Sequence, residues 1–81
     1  TSLARAKRGR WRIIDILRPA VRRRLIGLGI FIGDTIEILK AGPGPVIFLK
    51  DTTRVAVGYG MAHAILVEPD SAAAAASRRD R

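Results

Sequence analysis

Apolar and polar positions change their period several times along the chain. From Arg10 to Leu17 apolar residues fall on both parities, Trp11, Ile13 and Leu17 on one and Ile14 and Ile16 on the other, with Asp15 the lone acid. That β-branched content predicts a strand covered on both faces. The period then lengthens. Pro19 suits the first turn of a helix, where its missing N–H has no intrahelical partner, and Gly29 stands in the C′ place that favours glycine, so the spacing predicts a helix over 19–28. At about 100° per residue Val21, Leu25 and Leu28 share one side, and Arg22, Arg23 and Arg24 fan over the rest. Gly27 inside this helix costs about 1 kcal/mol relative to alanine, so tertiary packing or a close neighbour is expected there.

Downstream the period shortens to two. Ile32-Gly33-Asp34 reads as a turn, and Thr35 to Lys40 alternates as a half-buried strand with Ile36 and Ile38 inward. Gly42-Pro43-Gly44-Pro45 places Pro and Gly as a type II turn requires and opens the strand Val46 to Lys50. After Asp51-Thr52-Thr53, Arg54 to Gly58 returns antiparallel; Met61 to Ala64 predicts one helical turn, and Ile65 to Glu68 a last strand closed by Pro69. The expected fold class is mainly β: a small, partly open SH3-like barrel of about five antiparallel strands, with one short α-helix between the first two strands and a helical turn before the last. Residues 1–9 are expected to be a basic arm partly docked through Leu3 and Ala6, residues 10–69 the folded domain, and residues 70–81 a flexible, Ala-rich, basic tail.

Composition narrows the function. At 81 residues the chain has room for one domain, and with 48% hydrophobic residues it has the material for a core. It has no cysteine, which excludes disulfides and thiolate metal sites. No apolar run approaches the roughly 20 residues of a membrane span, so a soluble, cytoplasmic protein is expected, with room for peripheral contact at the inner face of a membrane. Fifteen Lys and Arg against seven Asp and Glu give a net charge of +8. Nine of those basic residues lie before Leu25, with Asp15 their only acidic companion, so a near-neutral body carries a basic front that favours anionic partners.

The run Arg22-Arg23-Arg24-Leu25-Ile26-Gly27-Leu28-Gly29-Ile30-Phe31-Ile32-Gly33-Asp34-Thr35-Ile36-Glu37-Ile38-Leu39 resembles the "RRLxxLGlxpGtxvevl" signature of the FeoA family, ferrous iron transport protein A. Gly44-Pro45-Val46 is similar to that family's "GGPi", Ala62-His63-Ala64-Ile65-Leu66-Val67 to its closing "AxxIlV", and Leu3, Gly9 and Ile13 to its opening. The likeness covers residues 3 to 68, with Ile32 where the family usually has proline and an arm more basic than usual. The resemblance implies an SH3-like barrel in the cytosol that catalyses nothing and acts as an accessory to the FeoB importer of ferrous iron, whose cytosolic part contains a GTPase domain. The same barrel occurs as a domain of metal-dependent repressors of the diphtheria-toxin-repressor family.

Candidate chemistry is sparse. His63, with Met61 nearby, is the lone imidazole and a weak candidate for contact with ferrous iron, because a stable site needs several ligands. No nucleophile–base pair or paired carboxylates are spaced for catalysis, so no enzyme and no cofactor are expected. The Gly-Pro run lacks the Gly-Lys-Ser/Thr of a phosphate loop and reads as hairpin geometry. There remain Arg10, Arg12, Arg22, Arg23 and Arg24 as forked donors, with a solvated face as the plain alternative, and Phe31 and Tyr59 as anchors flanking an apolar groove. The expected function is an adaptor that binds the cytosolic domain of a FeoB-type GTPase importer and modulates it. The alternatives are a nucleic-acid-binding barrel that stacks bases on Trp11 or Tyr59, or the SH3-like domain of a metal-dependent regulator; self-association through strand edges is a further expectation.

Overall fold

A computed structural model describes residues 1–70. A 3-10 turn at Leu3–Arg5 leads into strand β1 (Gly9–Ile16), helix α1 (Pro19–Gly27), β2 (Thr35–Lys40), β3 (Val46–Lys50), β4 (Thr53–Val57), the single helical turn α2 (Tyr59–Ala62) and β5 (Ile65–Pro69). The five strands form one antiparallel sheet in the order β4-β3-β2-β1-β5. The outermost strands, β4 and β5, do not pair with each other, so the sheet stays an open barrel. No helix among the described residues is long and apolar enough to cross a membrane.

One face of the sheet carries the core. Ile36 and Ile38 point into it, as the alternation requires; Ile38 lies opposite Phe48 of β3, and Val55 and Val57 of β4 continue the same buried layer. The first strand departs from expectation, because only one of its faces is covered and Ile14 is exposed. Its mixed parity has a different cause: the register with β5 slips between Ile13 and Asp15, a bulge that brings Ile16 onto the same buried face as Ile13. The Asp15 carboxylate accepts the Ile16 N–H at 2.8 Å beside that irregularity.

The first six residues lie along β5 rather than away from it. Leu3, Ala4 and Ala6 are buried in the core, Ser2 bridges to Leu66, and the Val67 N–H donates to the Thr1 carbonyl at 2.8 Å. This segment covers an edge that would otherwise offer unpaired amides to another chain. At the other end of the domain Asp70 is buried and its N–H reaches the Arg10 carbonyl, while the rest of the expected tail, residues 71–81, lies outside the described residues.

Helix α1 ends in a Schellman motif. The Gly29 N–H donates to Ile26 O and the Ile30 N–H to Leu25 O, both at 2.9 Å, with Gly29 at φ +80° and the buried Leu25 and Ile30 side chains supplying the accompanying apolar contact. Two details differ from the helical-wheel expectation. Leu28, beyond the last helical residue, is 51% exposed, because the cap turns it off the Val21–Leu25 stripe. A Cβ on Gly27 would meet nothing within 4 Å, so close packing does not explain that glycine.

Candidate docking face

The helix and the loop that follows it build the surface most suited to a partner. Val21 and Leu25 seat α1 on the sheet, and this places Arg22, Arg23 and Arg24 in solvent. Arg22 approaches Asp15 at 3.7 Å, too long for a hydrogen bond, while Arg23 and Arg24 make no ion pair with any described residue. Their forked donors are therefore available to a carboxylate or phosphate.

The two ends of the loop from Gly29 to Asp34 are tied together by one residue of another strand. The Lys50 ammonium, at the end of β3, donates to the Gly29 carbonyl and to Asp34 Oδ2 at 2.8 Å, and lies 5.3 Å from the centre of the Phe31 ring. Asp34 Oδ2 also accepts the Phe31 N–H at 2.8 Å. Burial alone would push the Asp34 carboxyl up, but the Lys50 and Phe31 hydrogen bonds and the Lys50 charge outweigh it and hold the group below its ordinary value. Gly33, at φ +99°, completes the turn, and its N–H donates to Ile13 O at 2.7 Å, pinning the loop to β1. Phe31 stays 48% exposed although its backbone is fixed on both sides.

Beneath this loop runs a groove of about 300 Å³ lined by Ile16, Arg22, Ile26, Ile30, Phe31 and Ile32. A second depression of about 210 Å³ shares Ile16 and Arg22 with it and adds Leu17, Pro19 and Arg23. Together they make one apolar surface with guanidiniums at its border.

The sequence-predicted residues divide between this face and other places. Arg22, Arg23 and Phe31 belong to it, and Arg24 lies on the same helix. Tyr59 does not line the groove, which corrects the expectation of one groove flanked by both aromatics: its ring packs over Gly42, where a Cβ would come within 2.6 Å of it, and meets the His63 ring edge-on at 4.7 Å. Arg12 is engaged by Glu68 on β5, whose hydrogen bond first and charge second hold the guanidinium more firmly protonated, so it ties two strands together. Arg10 borders a separate, polar hollow with Glu37 and Asp51. His63 is exposed, and among the described residues no three His, Cys, Asp or Glu side chains are grouped to hold a metal ion.

Leu17, Ile26 and Lys50 belong to the face without having been singled out by sequence. Ile26 carried a signal, an apolar side chain about 100° off the buried stripe of its helix. Lys50 carried none, since its contact with Gly29 joins residues 21 positions apart.

Comparison with known proteins agrees with this architecture. The FeoA domain family model matches residues 1–69. Over 46 residues the chain is 37% identical to the Fe(2+) transport protein A of Methanocaldococcus jannaschii, a match covering 57% of this chain and 56% of that protein, so the chain spans about half the length of this curated relative. Among solved structures, the FeoA protein from Chlorobium tepidum superposes with a TM-score of 0.76 at 27% identity, covering 86% of this chain and 70% of that one. A crystal structure described as an iron uptake regulatory protein (FeoA) gives 0.74 at 30% identity, covering 84% and 93%. The manganese regulator SloR gives 0.78 at 19% identity over 86% of this chain and 34% of its own, a likeness of fold alone.

Proposed function

Since this chain belongs to the FeoA domain family, we propose that it is an accessory protein of ferrous iron uptake, working in the cytoplasm by binding the cytosolic part of a FeoB-type GTPase importer and biasing its GTPase or gate. The observation that carries the reading is the pre-formed apolar groove under Phe31, bordered by the arginines of α1. The net charge of +8 speeds encounter with an acidic surface, and the groove then supplies the apolar contact that sets the residence time. Lys50 contributes by fixing the loop in advance, so little conformational freedom is lost when a partner arrives. The reading involves no bond-making step: Arg12 and Asp34 are each tied to an oppositely charged neighbour that holds them in their ordinary charged forms and stabilises the sheet or the loop.

Calorimetry of the full chain against the importer's cytosolic domain tests this. Saturable heat at low ionic strength, weakening as salt is added, is the expected result. Absence of heat at low salt and high concentration of both proteins contradicts it.

A further inference from the structure

Taking the adaptor reading as its basis, we infer that the groove under Phe31 receives an acidic amphipathic segment of the partner, one large apolar side chain entering between Ile26, Phe31 and Ile32 while neighbouring carboxylates engage Arg22 and Arg23. Shape, charge and prior engagement each point to that occupant.

The site is concave and about 300 Å³, a volume at the lower end of ligand pockets and suited to one anchoring side chain. The recess between these side chains gives an apolar anchor of a protein a place to enter. The border charge is wholly positive: Arg22 lines both depressions and Arg23 one of them, and no acidic side chain lines either. Asp34 is engaged by Lys50 at 2.8 Å, and Asp15, which accepts the Ile16 N–H, meets Arg22 only through a long, exposed ion pair at 3.7 Å, so Arg22 keeps donors for a better-placed carboxylate and Arg23 has no acidic partner among the described residues. A second copy of this chain is a poor occupant, because two chains of net charge +8 repel each other. Arginine offers paired donors in a plane, so carboxylates one helical turn apart on the incoming segment match Arg22 and Arg23, while an apolar side chain on the adjoining strip of the same amphipathic segment fills the groove.

The experiment measures the affinity of the full chain for the importer's cytosolic domain in four forms: wild type, the doubly reversed R22E/R23E, Phe31→Ala, and Arg54→Glu as a control on exposed β4. All four substituted side chains are solvent-exposed, and circular dichroism verifies that each variant is folded. Roughly tenfold or greater weakening is expected for R22E/R23E and for Phe31→Ala, with Arg54→Glu within about twofold of wild type and the R22E/R23E chain losing most of the salt dependence. Wild-type binding left unchanged by both face variants overturns this inference and leaves the adaptor reading standing. Failure of the wild type to bind overturns the adaptor reading, and the inference with it. Co-sedimentation of the chain with phosphatidylglycerol vesicles, abolished by the same two variants, reassigns the face to a membrane and equally overturns the peptide assignment, as does concentration-dependent dimerisation that Phe31→Ala removes.

Discussion

Lys50 shows how a single side chain can set the shape of a distant loop. It donates to the Gly29 carbonyl and to Asp34, so replacing it with methionine leaves a half-buried carboxylate and a carbonyl without their partner. Lys50→Met should cost about 1–3 kcal/mol, readable as a lower urea midpoint at unchanged slope. Asp34 supplies the matching pH signature. Its folded-state value lies below the ordinary 3.8, so the stabilisation it gives is fully present above that value and is lost as the pH falls through the lower, folded-state one. Unfolding midpoints followed from neutral pH into acid should therefore decline on that limb in the wild type, and the decline should be smaller in Asp34→Asn and in Lys50→Met. The sequence exposed part of this arrangement: Gly33 and Asp34 are recognisable as a turn from their types. Lys50 is not, because a flexible amine at a strand end looks the same whether it is solvated or bound across the fold.

Among the elements, α1 was the most legible in its start and stop and the least in its faces. Pro19 and Gly29 mark its ends by backbone chemistry alone, and the Schellman bonds at Gly29 and Ile30 follow from it. The wheel assigned Leu28 to the buried stripe, but the helix ends one residue earlier and the cap carries Leu28 outward. Gly27, without a neighbour near its absent Cβ and with no positive φ, is a weak point: Gly27→Ala should raise stability by up to about 1 kcal/mol, measured as a higher melting temperature. Gly42 should behave in the opposite way. A methyl there would meet the Tyr59 ring at 2.6 Å and the Ala4 carbonyl at 3.0 Å, so Gly42→Ala should destabilise by about 1–3 kcal/mol. The one-sided covering of strand β1 is not legible in sequence, because a bulge and a doubly buried strand leave the same trace there, apolar residues on both parities.

At the scale of the whole molecule, the core and the proposed docking face occupy different parts of the same short segment. Residues 19–34 bury Val21, Leu25 and Ile30 and leave Arg22, Ile26, Phe31 and Ile32 facing outward. That division explains why the fold was readable from period and turns, while the groove was not: a groove is defined by the relative placement of a helix, a loop and Ile16 of β1, which no local pattern encodes. Under the proposed function, this one face carries the partner. The most direct test is a side-chain NMR titration of the full chain with the importer's cytosolic domain, following methyl and aromatic resonances. Shifts concentrated at Leu17, Ile26, Phe31 and Ile32, with Ile47, Leu49 and Ala56 on the outer face of the sheet unmoved, are the predicted result. Shifts centred on β4, or on the Tyr59–His63 pair, with Ile26 and Phe31 unmoved, would contradict it.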